Sequence, residues 1–219
     1  MSLLPHRACP VVLAAPSGTG KTTIARALVE SAPNFVFSVS ATTRLPREGE
    51  RDGQDYEFVT PSEFQDMIEK DELVEWAEVH GNLYGTPRRN VEASVTRGEH
   101  VVLDIDVQGA RQIRESVPDA VLVFVFPPSA DALVSRLTAR GTEEIHEVRR
   151  RLAAAREELE RARDFDYIVV NDDLDRAVRQ VQAIVRAESH RPERVRELSG
   201  EVQRLRIEID RALAEKVSG

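Results

Sequence analysis

The stretch VVLAAPSGTGKTTIARALV, residues 11–29, sets a short apolar run against an amphipathic one, with two glycines and a lysine between them. The apolar run reads as a buried strand, and the residues after Lys21 carry apolar side chains at helical spacing. That strand–loop–helix order is the context a G-x-x-x-x-G-K-[ST] phosphate loop requires. Gly18 and Gly20 let backbone N–H groups wrap closely around phosphate oxygens, and the helix starting near Lys21 adds its unpaired N–H groups and the positive end of its dipole. In such a loop Lys21 reaches the β and γ phosphates and Thr22 places a hydroxyl on Mg²⁺, while Thr23 either assists or caps and packs the helix. Ala15 stands at the first glycine position, where its methyl is compatible only with a φ below zero. The expected ATP-binding run is therefore Ala15, Pro16, Ser17, Gly18, Thr19, Gly20, Lys21, Thr22 and Thr23. The alternative, a glycine turn joining strand to helix without a ligand, leaves Lys21 and Thr22 unexplained.

Outward from the loop, further short apolar segments recur: FVFSV from 35, HVVLDIDV from 100, AVLVFVF from 120 and YIVV from 167. Helical patterns separate most of them, which predicts an α/β domain with a largely parallel sheet. Two stretches depart from the alternation. Residues 38–79 hold turn-rich and strand-like pieces around a short helix near Pro61 to Lys70, as in a small β-rich flap inserted into the core. From Thr142 to Arg163 the charged, alanine-rich TEEIHEVRRRLAAAREELERAR reads as an exposed helix. A terminal helix is expected from near Pro192, with Val195, Leu198, Val202, Leu205, Ile209 and Leu213 forming an apolar stripe. Either it pairs with another chain in a homo-oligomer or it folds back on its own domain.

The chain has 219 residues, enough to bury a substantial core as one domain with appendages, and its 41% hydrophobic and 31% charged content is ordinary for a globular protein. A net charge of −8 disfavours binding to a polyanion, so no nucleic-acid partner is expected. Cys9 is the only cysteine, which rules out an intrachain disulfide and a cysteine-rich zinc site and fits a reducing, cytoplasmic setting. No export signal or membrane span is expected, since the apolar run is broken at Pro16, Ser17 and Gly18.

A phosphate loop alone does not separate a kinase from a switch or motor. The segment SVSATTRLPREGERDGQDYEFV places Arg44 and Arg47 three apart around a proline, with Ser40 before them and Tyr56 after, and EWAEVHGNLYGTPRRNVE supplies Glu75, Tyr84 and Thr86. With LDIDVQG and YIVVND, these occur in the order and spacing of guanylate kinases, and the sequence resembles that family over about residues 10–187. The resemblance implies a P-loop NTPase-type core with a mainly parallel sheet, a GMP-binding region at about 38–97, a helical lid at about 136–163, and a helical extension over 188–219.

It also implies that Ser40, Arg44, Arg47, Tyr56 and Tyr84 hold the GMP phosphate and that Glu75, Thr86 and Asp106 read guanine. Guanine offers adjacent N1–H and N2–H₂ donors that one carboxylate accepts as a fork, whereas adenine presents a lone pair at N1. Paired arginines suit a doubly charged phosphate because their planar donor forks never lose charge. By the same resemblance Arg136, Arg140 and Arg151 clamp the ATP phosphates, while Arg149, Arg150 and Arg156 read as a solvated helix face. Asp104 either orders Mg²⁺ through its waters or makes a structural hydrogen bond. Asn171 either contacts adenine or caps the helix that begins near Asp173. The implied reaction is direct in-line transfer of the γ-phosphoryl group of ATP to GMP, without a covalent enzyme intermediate. A non-catalytic module of the same fold and a P-loop kinase with another acceptor are the rivals.

Overall fold

The computed structural model describes residues 5–79, 81–138 and 145–217. The central sheet holds β1 (Val11–Ala14), β2 (Phe35–Phe37), β7 (His100–Asp104), β8 (Val121–Phe126) and β9 (Tyr167–Val170) in the order β2-β7-β1-β8-β9, all parallel. Helices α1 (Lys21–Ser31) and α7 (Leu174–Ser189) cover one face, and α3 (Arg88–Arg97) and α4 (Val107–Ser116) the other. The two-residue period of a strand explains how one apolar run serves both layers. Val11 and Leu13 pack with Ile24, Leu28 and Val181, whereas Val12 and Ala14 pack with Val91, Ala110 and Ile113. Both sets are buried, so β1 is the spine on which the phosphate loop is mounted.

A second sheet is inserted between β2 and β7. It comprises β3 (Ala41–Thr42), β4 (Glu57–Phe58), β5 (Leu73–Val79) and β6 (Asn82–Pro87) in the order β4-β3-β6-β5, with β5 antiparallel to β6. Its cover is α2 (Pro61–Glu69), which starts on a capping box: the Thr60 hydroxyl accepts from the Glu63 N–H and the Glu63 carboxylate accepts from the Thr60 N–H. Phe64 and Met67 of α2 pack on Ala41 and Leu73. The strand-like pieces foreseen in and just past 38–79 thus become one sheet through β6, which pairs with both β3 and β5.

The region expected to form a lid holds α5 (Ala130–Thr138) and α6 (Ile145–Glu160), followed by a short 3-10 turn at Arg161–Asp164. Leu133 and Leu137 of α5 pack on Leu152 and Ala155 of α6. Arg140 and the expected helix start at Thr142 lie outside the described residues.

The terminal helix differs from its expected start. Pro192–Arg194 is a separate 3-10 turn, and α8 spans Leu198–Val217. The reason lies in backbone pairing: Arg7 N donates to Arg194 O at 2.7 Å, Arg196 N donates to Pro5 O at 2.8 Å, and Val195 bridges His6. Val195 therefore belongs to this stitched linker and not to the helical stripe. Glu197, with φ +60°, turns the chain into α8. Every described residue from Val202 to Ala214 is exposed, so the stripe is not folded back on its own core.

Candidate active site

Positive φ in the phosphate loop falls on Gly18 (85°) and Gly20 (90°), and Ala15 stays outside that region, as its methyl requires. The loop is pinned from inside. Thr19 is fully buried, and its hydroxyl donates to Pro16 O at 2.7 Å. Its carbonyl accepts from Asn171 Nδ2 at 2.7 Å and from Arg136 Nη1 at 2.8 Å. A Cβ at Gly20 would lie 2.6 Å from Asn171 Nδ2, so glycine is required there for space as well as for φ. In this state Thr19 and Asn171 act on the loop itself. Asn171 does not cap α7; Asp173 does, accepting from Arg176 N at 2.8 Å.

At the loop's exit the Lys21 Nζ lies 2.8 Å from Asp104 Oδ1 at the end of β7 and donates to Ile105 O. Thr22 and Thr23 are exposed on the first turn of α1. Pro16 and Ser17 form the outer arm. Arg151 reaches Ser17 from α6, its Nε and Nη2 donating to the Ser17 hydroxyl at 3.2 and 2.6 Å. Arg136 also donates to Asn171 O at 3.2 Å. Both arginines thus converge on the loop from the lid side, while Arg149, Arg150 and Arg156 are exposed. Glu158, one turn pair beyond Arg151 on α6, is held above the ordinary carboxylate range, first by burial and then by Asp106, with Lys21 opposing.

The inserted sheet presents a second cluster. Glu75 on β5 stands opposite Thr86 on β6, and the Thr86 hydroxyl donates to Glu75 Oε1 at 2.6 Å. Glu75 is only 7% exposed, and burial pushes its carboxyl up to about 7; Thr86 pulls it down and Asp106 pushes it up. Asp106 caps α4, its Oδ1 accepting from Gly109 N at 2.7 Å. A Cβ at Gly109 would approach Glu75 Oε2 to 2.9 Å and Asp106 Oδ1 to 3.4 Å, so the two carboxylates flank one bare stretch of helix. From α4, Gln112 clamps β5 by accepting from Trp76 N and donating to Trp76 O at 3.0 and 2.9 Å, and the Ser116 hydroxyl donates to Val74 O at 2.6 Å. The residues on either side of Glu75 are therefore fixed to the core.

The loop between β3 and β4, residues 43–56, carries Arg44 and Arg47. Arg44 donates from Nη1 and Nη2 to Glu50 Oε2 and Oε1 at 3.0 and 2.9 Å, with its guanidinium 5.4 Å from the Tyr56 ring centre. Tyr84 meets Tyr56 edge-on at 6.0 Å. Glu50 also accepts from Arg47 N at 2.8 Å, whereas Arg47 itself is exposed. Burial raises the Tyr56 phenol, and the fork on Arg44 holds Glu50 below its usual range. Ser40 accepts through its carbonyl from Glu57 N, and Asn90 of α3 donates to Val39 O beside it at 2.9 Å.

Of the residues singled out from the sequence, the structure groups Lys21, Asp104, Arg136, Arg151 and Asn171 around the loop, the buried Glu75 and Thr86 with the exposed Asp106 beside Gly109, and Arg44, Tyr56 and Tyr84 in a third cluster, while Arg47 is exposed. Glu50, Gly109 and Gln112 were missed. Glu50 stands three residues after Arg47, a signal that was present; nothing local marks Gln112, whose partner is 36 residues away.

A glycine-built anion cradle on a parallel sheet, with arginines closing from a lid and a second polar pocket beside it, defines a P-loop phosphotransferase. Comparison with known proteins narrows the class. The family pattern described as Guanylate kinase matches residues 7–188. A guanylate kinase of Symbiobacterium thermophilum is 52% identical over 181 residues, covering 83% of this chain and 86% of the relative. One from Myxococcus xanthus is 50% identical over 186 residues, covering 84% and 89%. The crystal structure of guanylate kinase from Anaplasma phagocytophilum superposes with a TM-score of 0.71 at 36% identity, over 92% of this chain and 96% of that one. The chain belongs to the guanylate kinase family, and it is a nucleoside monophosphate kinase.

Proposed function

We propose that the protein transfers the γ-phosphoryl group of ATP to GMP, and to dGMP, within cytoplasmic purine nucleotide metabolism. The observation that carries this reading is the buried Glu75 carboxylate, hydrogen-bonded by Thr86 and backed by a clamped strand, next to the Arg44–Tyr56–Tyr84 cluster. Glu75 accepts the paired guanine donors, with Thr86 and Asp106 completing the base pocket. Ser40, Arg44, Arg47, Tyr56 and Tyr84 take the monophosphate. The base edge and the phosphate are common to GMP and dGMP, which is why both are substrates in this reading.

The acceptor phosphate is already an oxyanion, so alignment and charge neutralisation supply most of the rate. Residues Ala15 to Thr23 wrap the ATP phosphates, and Lys21 exchanges Asp104 for phosphate oxygens. Arg136, Arg140 and Arg151 close from the lid, with Asn171 at the adenine side. The oxygen donors Thr22 and Asp104 fit Mg²⁺, which the chain would hold with few groups of its own. Held there, Mg²⁺ would supply neutralisation of the charge that develops on the transferring phosphoryl group.

In this account the kinase unit runs over 10–187, with its GMP-binding region at 38–97 and lid at 136–163, and 188–219 is a helical extension through which a second copy docks. The net charge of −8 argues against nucleic acid as a partner. No described helix is long and apolar enough to cross a membrane. An ADP-release assay with ATP, Mg²⁺ and each nucleoside monophosphate in turn tests the reading. GMP and dGMP should turn over, with AMP, CMP and UMP nearly inert; equal turnover of AMP would overturn it.

A further inference from the structure

The segment that carries α8 away from the core is fixed at the edge of the sheet opposite the phosphate loop. Tyr167 opens β9, and its hydroxyl donates to Glu188 Oε1 at 2.5 Å. Glu188, itself buried, pairs with Arg194 at 3.5 Å, and the 3-10 turn at Pro192–Arg194 is then stitched to residues 5–7. From that anchored point α8 projects with an apolar stripe in solvent: Ile209 and Leu213 are 57% and 56% exposed, and Val202 and Leu205 are nearly half exposed. A single projecting helix cannot cover such a face.

The periodicity and the charges indicate what does. Leu198, Val202, Leu205 and Ile209 are spaced four, three and four apart, the 3.5-residue repeat that keeps one seam facing a partner helix in a left-handed coil; Ala212 continues it, and Leu213 lies one position off it on the Arg206 flank. Glu201, Glu208 and Glu215 recur at seven-residue intervals along one flank of that seam, and Arg206 lies on the other. Within the helix Arg204 pairs with Glu201 and with Glu208, the latter at 2.6 Å, and these pairs support the exposed helix. In a symmetric parallel pair the two different flanks meet, so Glu201 of each copy faces Arg206 of the other. In an antiparallel pair like flank meets like, and the row of glutamates confronts itself.

We propose that α8 pairs in parallel with α8 of a second copy of this chain, joining two kinase units by the edges opposite their nucleotide sites. The orientation rests on the self-association stated above, and the two are separable by experiment. Mass by light scattering on the full chain, over a range of micromolar concentrations, reads association itself; a dimer that disappears when the chain is cut after Glu197, with kinase activity kept, is expected. A full-length chain that stays monomeric, or a truncated one that stays dimeric, overturns docking through α8 altogether.

Orientation is read by Val202→Cys. Oxidation should give a covalent dimer, since equivalent seam positions adjoin only in the parallel pair. The native thiol does not compete, because Cys9 is buried and burial pushes it up to about 11. Charge exchange gives a second readout independent of the cysteine. Arg206→Glu should weaken the dimer, and Glu201→Arg with Arg206→Glu should restore it. A dimer that fails to cross-link at position 202 and is strengthened by Glu201→Arg alone would overturn the parallel arrangement while leaving self-association standing.

Discussion

The base pocket and the phosphate cradle sit side by side yet are built on opposite principles. At the base pocket, Glu75 is buried, takes a hydrogen bond from Thr86, and lies on a strand clamped by Gln112 and Ser116. Around the phosphates' expected positions, the charged groups are partly exposed and paired with the protein: Lys21 with Asp104 and Arg151 with Ser17 at the cradle, Arg44 with Glu50 in the neighbouring cluster. The first arrangement is fixed before any ligand arrives and suits selection, because a wrong base leaves a desolvated carboxylate unpaired. The second consists of partners that a phosphate can replace, which suits a charge that moves during transfer.

That contrast is open to direct attack, and the largest effect is expected at the cradle. Lys21→Met should cut kcat roughly 10²–10³-fold, the scale for one lost transition-state donor, while circular dichroism and melting stay close to the parent because Lys21 sits at the first position of α1, outside the apolar core clusters. Loss of fold together with activity would instead give Lys21 a structural role. Next, Glu75→Gln turns one acceptor into a donor facing a base donor and should cost about 1.5–3 kcal/mol in kcat/KM for GMP, read by steady-state kinetics. Its effect on ATP saturation should be small, and a matching loss there would dissolve the distinction between the two regions. Smaller again is Glu50→Gln. The carboxylate fork holds the Arg44 plane against Tyr56, so loosening it should raise KM for GMP by roughly tenfold or less, on the scale of one hydrogen bond, with kcat less affected. An unchanged KM would show that Arg44 needs no such support.

Stability offers an independent handle on the same difference. Glu75 has a folded-state carboxyl raised above its ordinary value to about 7, so the folded protein binds the extra proton and stability falls as pH rises from the unfolded value toward 7. Glu75→Gln should flatten that part of the melting-temperature profile.

What was legible in the sequence follows the range of the forces involved. The phosphate loop, the strand alternation and the parallel sheet are local patterns of period, glycine and lysine, and residues 11–29 alone carry most of that information. The inserted sheet was readable only in pieces, because β3 and β4 are two residues long and acquire their identity from distant partners: β4 pairs with β3, and β3 pairs with β6, Ala41 lying against Gly85. The terminal helix was foreseen with its stripe, but its start was placed too early. Pro192 resembles a helix opener, and the bridge between His6 and Val195 that claims this segment joins opposite ends of the chain. At the site the charged and aromatic candidates were legible through motif order. The supports were not: Gln112 and Gly109 act through contacts with β5 that no spacing within their own helix reveals.

The central claim is that the ionised Glu75 carboxylate selects guanine, and the pH dependence of kcat/KM for GMP, in the parent and in Glu75→Gln, tests it most directly. That parameter reports groups of the free enzyme, and Glu75 titrates near 7 there under the pressure of burial and Asp106. The account predicts that the parent loses efficiency as pH falls through about 7, while Glu75→Gln, already low, shows no such limb. Parallel profiles in the two proteins would contradict it, since the acidic limb would then belong to another group and Glu75 would not be the carboxylate that reads the base.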